Sequence, residues 1–358
     1  MLFLGQEESR YWSDFASQAI HAGGAMFSVE DRVRPGLIPA FHYYIGTMLL
    51  SKNLNQAGLN WITTGMAGEQ GGLFSNAFLA SYLGRNKGKL TVPETIFADP
   101  APYIHFAGTP ELFDARVSFR SHCVHALPCY SAPLKIMDIG CGHGMILVDL
   151  LHELRRSGNI RDVGEILLID PSEGMLKLAE SNVRSAFPEA RVRIIQARLE
   201  EITGNLCIYY DIALSSLAYH HMPYETKLMH LQKLKEFIGC FILFELDANN
   251  DTPELHSPEL ALSVYQSYGA MMDFVFAHDA PVEVAISSID RFLMSEAIYF
   301  FTELRGKRSD YHMLRAQWQQ VFREGLGEKF DCLCDSTCFG NENMGLFTMI
   351  YARVRNIV

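Results

Sequence analysis

Seven residues, Asp138-Ile139-Gly140-Cys141-Gly142-His143-Gly144, constrain the fold of this chain more than any others. They follow a short apolar run over residues 136–139 and precede Ile146, Leu147, Leu150, Leu151 and Leu154, which recur at helical spacing. A strand that turns into a helix through three closely set glycines lets backbone approach a ligand with no side chain in the way. In a parallel α/β sheet that approach takes place at the carboxyl edge of the strands. The spacing is GxGxG with an acid two residues ahead. A dinucleotide fingerprint, GxGxxG, wants a glycine where Met145 stands.

The alternation of strand and helix continues downstream. Residues 166–169 read as a strand ending at Asp170, whose carboxylate can accept hydrogen bonds from both hydroxyls of a ribose. Ser172 is placed to cap a helix carrying Met175, Leu176, Ala179 and Val183. Strands follow over 192–195, 212–214 and 240–246, with a helix over 224–237 before the last, and this order predicts a parallel sheet. After Leu246 the rhythm stops for roughly eighty residues, far longer than a loop. Helices fill that gap: one opened by Ser257-Pro258, a second by Pro281, and a third capped by Ser309 or Asp310 and carrying Leu314, Trp318, Val321 and Phe322. Strands over 330–334 and 346–354 complete the sheet. Residues 1–127 read as short helices broken at Gly23-Gly24, Pro35-Gly36, Gly71-Gly72 and Pro93. The chain thus divides into a helical amino-terminal region, 1–130, and an α/β domain, 131–358, with a helical insertion over about 250–326 between strands 5 and 6.

Charge narrows the partners. With 30 basic against 41 acidic residues and a net charge of −11, nucleic acid and anionic membranes are disfavoured. No apolar run reaches the roughly 18 residues of a membrane span, and the polar stretch at 6–10 follows the start too closely for a signal peptide, so the cytoplasm is expected, with its eight cysteines reduced. Cys332, Cys334 and Cys338 lack paired CxxC knuckles, and no metal site is expected from them.

On the glycine motif, the acid-ended second strand, the fourth strand Tyr210-Asp211-Ile212-Ala213-Leu214-Ser215-Ser216 and the following Leu217-Ala218-Tyr219-His220-His221, the chain resembles the class I S-adenosylmethionine-dependent methyltransferases. The resemblance covers residues 135–247 and the final strands. It implies a Rossmann-like α/β fold with a seven-stranded sheet whose last strand is reversed, and S-adenosylmethionine as cofactor. It further implies contacts from Asp138, Gly140, Cys141, Gly142 and Gly144, from Asp170 with Pro171 and Met175, from Ala197, Arg198 and Leu199 beside adenine, and from Ser215, Ser216 and Leu217 near the methionine end. Gln196-Ala197-Arg198 lacks the acid that often meets the adenine amino group in this family.

Methyl transfer asks mainly for alignment of a nucleophile, because the sulfonium already activates the methyl group. A phenol or enol acceptor gains from a nearby base, and a neutral histidine can serve. His220 stands where the plant-type small-molecule O-methyltransferases carry their catalytic histidine; His221 is its neighbour, and Glu225 lies near the position of an acid in that motif. His278-Asp279 and the segment from Asp310 to His312 are further acid/base candidates on the insertion. Tyr265, Tyr268, Met271, Met272, Phe274, Phe292, Met294, Tyr299 and Phe300 suit either core or an apolar ligand. The expected activity is O-methylation of a small aromatic or polyketide-like molecule. The amino-terminal region would act as a cap or a homodimer surface. N- or C-methylation, non-methyl chemistry and binding without turnover stay open.

Overall fold

A computed structural model describes residues 1–26, 32–69, 73–91, 100–204, 206 and 208–354. Gly71-Gly72, Pro93 and Cys207 lie outside them. Among the described residues the α-helices α1 (Gln6–His21), α2 (Ile38–Ser51), α3 (Asn55–Met66), α4 (Ser75–Arg85), α5 (Ala101–Ala107) and α6 (Pro110–Ala126) come first. The alternating half follows as β1 (Leu134–Ile139), α7 (Met145–Ser157), β2 (Val163–Asp170), α8 (Glu173–Ala186), β3 (Arg191–Gln196), β4 (Tyr210–Ser216), α9 (Tyr224–Leu234) and β5 (Ile238–Asp247). Between β5 and the last strands run α10 (Pro258–Ala277), α11 (Val282–Ser288), a π-helical turn (Ile289–Leu293), α12 (Met294–Thr302) and α13 (Arg315–Leu326). The chain closes with β6 (Phe330–Gly340) and β7 (Gly345–Arg353).

The seven strands stand in the order β3-β2-β1-β4-β5-β7-β6, with β1 to β5 parallel and β7 antiparallel to both of its neighbours. This is the Rossmann-like sheet that the resemblance implied. Strand residues alternate between two cores because successive side chains point to opposite faces. Ile136, Leu168, Leu214 and Phe244 join the core shared with α6, α7 and the amino-terminal helices. Met137, Leu167, Ala213 and Leu243 join the core containing Leu231 of α9 and Trp318, Val321 and Phe322 of α13. Burying side chains of this size stabilises by about 1.5–3 kcal/mol each, which is why the central strands read as continuous apolar runs.

Local signals account for several boundaries. Ser172 and Ser257 cap α8 and α10, their hydroxyls accepting from the N–H groups of Met175 and Leu260. The expected cap at Ser309 or Asp310 is not observed. Residues 309–314 lie outside any helix, and α13 starts only at Arg315, where the Gln317 side chain accepts from the Leu314 N–H. The reason is a set of buried anchors on that segment. Lys227, fully buried on α9, donates to the Tyr311 carbonyl (2.6 Å) and lies 3.7 Å from Asp251 with its ammonium over the Trp318 ring. The Tyr311 N–H in turn donates to the His220 carbonyl at 2.7 Å. Burial, offset in part by Asp251 and Glu245, lowers the Lys227 pKa to about 8.

Candidate active site

The carboxyl edge of β1, β2 and β4 opens into a cavity of about 540 Å³. One wall is made by backbone. Gly140, Gly142 and Gly144 all take positive φ (+72°, +51° and +78°), conformations that other residues reach at a cost. A Cβ on Gly140 would stand 2.2 Å from that of Ala218, so the first turn and the loop after β4 touch only because a side chain is missing. Asp170, at the tip of β2, accepts from the Gly142 N–H (3.0 Å) and the Ser172 N–H (2.8 Å), bracing the glycine turn. Its burial raises its pKa, opposed by those two hydrogen bonds.

Of the residues expected around a cofactor, Gly140, Gly142, Asp170, Pro171, Met175, Arg198, Leu199, Ser216 and Leu217 line this cavity. Asp138, Cys141, Gly144, Ala197 and Ser215 do not line it. Gly144 packs on Ala179 of α8, and the Ser215 hydroxyl is committed to the Ile139 carbonyl at 3.1 Å. The buried Ser216 hydroxyl has no hydrogen-bond partner and borders the cavity, a polar atom left over for a ligand.

The opposite wall is made by side chains. Glu245, at the end of β5 and fully buried, accepts from the Ala218 N–H (3.1 Å), the His220 N–H (3.2 Å) and His220 Nδ1 (2.9 Å). It therefore organises the loop that Leu217, with φ of +50°, begins. Since Glu245 takes the Nδ1 proton, His220 turns Nε2 toward Asp310, 3.5 Å away. His221 Nδ1 lies 3.1 Å from the same Asp310 oxygen and 3.0 Å from the Ser309 carbonyl. The His312 ring packs on that of His220 with centroids 4.0 Å apart, and Tyr268 donates to Glu296 at 3.1 Å beside it. Burial alone would neutralise both carboxylates, but the histidines outweigh it and hold Glu245 and Asp310 below their ordinary range. For Glu296 burial wins: together with the charge of Asp310 it pushes the carboxyl well up, against His221 and the Tyr268 hydrogen bond.

Three placements differ from expectation. Glu225 is exposed on α9 and pairs with Arg305 at 3.0 Å, so the acid beside His220 is Glu245 instead. His278 stacks on His105, centroids 5.0 Å apart, and neither borders the cavity. Asp310 and His312, which α13 was expected to begin on, are delivered to the site by the segment before it. Glu245 had a signal of its own, a carboxylate inside the otherwise apolar Phe241-Ile242-Leu243-Phe244-Glu245-Leu246. The remaining wall is apolar: Tyr103, Phe106 and Leu112 come from the amino-terminal helices, and Met271, Phe292 and Tyr299 from the insertion. Tyr265, Tyr268, Met272, Phe274, Met294 and Phe300 are buried core.

Residues 136–238 match the family model of a methyltransferase domain. No curated protein matches the chain. A solved structure described as SCL7 from Oryza sativa is 12% identical, covers 82% of this chain and 93% of its own, and superposes with a TM-score of 0.58. That likeness is one of fold, and its coverage extends beyond the sheet into the helical additions. A magnesium protoporphyrin IX methyltransferase from Synechocystis with bound S-adenosylhomocysteine is 15% identical, with coverage of 71% and 93% and a TM-score of 0.41. An S-adenosylmethionine-dependent methyltransferase from Clostridium acetobutylicum is 12% identical, with coverage of 70% and 94% and the same score of 0.41. The segment that matches a methyltransferase domain thus lies in the seven-stranded sheet, from β1 to the start of β5. Among the described residues no helix is long and apolar enough to cross a membrane.

Proposed function

We propose that this chain, built on a methyltransferase domain, uses S-adenosylmethionine to methylate a small aromatic or apolar molecule, most simply at oxygen. One observation carries the reading: a single cavity joins the glycine turn and Asp170 to a histidine whose far nitrogen is fixed by a buried glutamate. The residues present suit the cofactor, since Asp170 keeps free lone pairs after its two backbone bonds and the Ser216 hydroxyl is unpartnered. Bound there, S-adenosylmethionine would supply an electrophilic methyl group. Gly140 and Gly142 leave room for it, and Asp170 would take its ribose.

The chain's own residues then have to orient and deprotonate an acceptor. Tyr103, Phe106, Phe292 and Tyr299 offer faces for a flat apolar body. His220 presents Nε2 as the proton acceptor, and Glu245 stabilises the imidazolium that forms. Helices of the amino-terminal region and of the insertion line the cavity opposite the glycine turn, and they would cover a bound acceptor. We place the region 1–130 as the cap, 131–358 as the catalytic domain, and the protein in the cytoplasm.

The test is calorimetry with S-adenosylhomocysteine on wild type and Asp170→Ala, followed by product mass spectrometry with phenolic acceptors. Loss of the ribose contact should weaken binding about 10- to 100-fold, equivalent to roughly 1.4–2.8 kcal/mol, and the product should gain one methylene. Absence of binding in wild type removes the reading, and a product without the added methylene assigns the cavity to other chemistry.

A further inference from the structure

Three potential ligand atoms in the polar wall lie close to one another. His220 Nε2 and His221 Nδ1 lie 3.5 and 3.1 Å from the same oxygen of Asp310, and the donor atoms of the three residues lie within 4.8 Å of one another. Yet that Asp310 oxygen, fully buried, receives no hydrogen bond. Both nitrogens lie within ion-pair distance of it, and the three ligand atoms sit close enough together to share one ion. Separations of 3.1–3.5 Å bracket the edge of a tetrahedron with bonds near 2.0 Å, roughly 3.3 Å.

Glu245 completes the pattern from behind. Metal-bound histidines commonly donate their other N–H to a carboxylate, which fixes the ring and raises its basicity. His220 Nδ1 meets Glu245 at 2.9 Å while Nε2 is left on the Asp310 side. His312 backs the same ring, and its own Nδ1 is buried without a partner. A second grouping, His220 with Glu245 and His312, is buried throughout and uses the His220 nitrogen already taken. The first grouping instead borders the cavity through His221, leaving an open side as catalytic sites do.

We propose that His220 Nε2, His221 Nδ1 and the Asp310 carboxylate form a site for a divalent first-row transition metal, of the Zn²⁺ kind, at the acceptor end of the cavity. Two imidazoles and one carboxylate select such an ion over Mg²⁺ or Ca²⁺, which take oxygen ligands. Binding displaces the proton that His221 Nδ1 now directs to the Ser309 carbonyl. The inference rests on the methyltransferase reading only for what the ion would act on, an acceptor oxygen held at the open position. With metal bound, His220 serves as ligand and not as base.

The experiment uses the full chain, stripped with chelator and titrated with Zn²⁺, Co²⁺ and Mg²⁺ by calorimetry and visible absorption. One equivalent of Co²⁺ should bind with the d–d bands of nitrogen and oxygen ligation, and Zn²⁺ should compete for it while Mg²⁺ does not. His221→Ala and Asp310→Asn should each weaken Zn²⁺ binding about 100-fold or more, and Glu245→Gln about 10- to 100-fold through the ring it holds. Thermal unfolding of wild type with and without Zn²⁺ covers the case of a variant that fails to fold, an upward shift being expected. Zn²⁺ uptake unchanged by His221→Ala, or no uptake and no thermal shift in wild type, overturns the site. S-adenosylhomocysteine binding on the same stripped protein separates the two ideas: retained binding without metal uptake rejects the metal alone, and lost binding rejects the cofactor reading.

Discussion

The two walls of the cavity are built by different means. The glycine wall is backbone: three positive-φ glycines within five residues, braced by one carboxylate at the next strand tip. The facing wall is side chain: His220 from the loop after β4, backed by Glu245 of β5, with Glu296 from α12 and Asp310 and His312 from the segment before α13. A wall made of main chain depends on what is absent at a few adjacent positions. A wall made of side chains depends on charges brought from distant parts of the chain and held by one another.

That difference predicts opposite failures. Gly140→Ala should be the most damaging change, because the new Cβ meets Ala218 at 2.2 Å in a left-handed conformation that itself costs about 1–2 kcal/mol. We expect about 4 kcal/mol lost in stability and no measurable S-adenosylhomocysteine binding, read by denaturant unfolding and calorimetry. Glu245→Gln should do the reverse. Its carbonyl oxygen can still accept from the Ala218 and His220 N–H groups, while the charge that holds His220 is gone. Single-turnover rates should fall about 100-fold, some 2.7 kcal/mol, with cofactor affinity within twofold. If affinity collapses together with rate, the two walls are one unit and the comparison breaks.

Legibility in the sequence followed the same line. The glycine turn, Asp170 and the Ser172 cap are local patterns, and the strand order came with the resemblance they support. His220 was found because it too lies next to a strand end. Asp310 was misplaced as a helix cap, since Ser309-Asp310 before an apolar stripe is what a cap looks like, and nothing nearby announces Lys227 holding Tyr311 from another helix. Glu225 was named, from its place in the plant-type motif, as the acid near His220, and Glu245 was not considered. The parallel pairing of β4 with β5 brings Glu245, distant in sequence, alongside the loop that carries His220.

The carboxyl groups sharpen the contrast further, because the same chemical group is driven in opposite directions on the two walls. Glu245 and Asp310 are held charged by histidines. Asp138, beneath the glycine turn, has no such cation, and burial together with the nearby Asp170 raises its pKa to about 8. An unfolded aspartate titrates near 3.9, so between about pH 4 and pH 8 the native state binds the extra proton. Stability contributed at this position is then fully present below about pH 4, declines as pH rises, and levels off above about pH 8. The slope approaches but should not exceed about 1.4 kcal/mol per pH unit, and water entering the turn will make it shallower. Asp138→Asn keeps the shape and removes the titration, so its unfolding free energy should gain on wild type steadily from pH 6 to pH 8. Parallel curves for the two proteins over that interval would mean that Asp138 is ionised in place, and that the glycine wall also stores a charge.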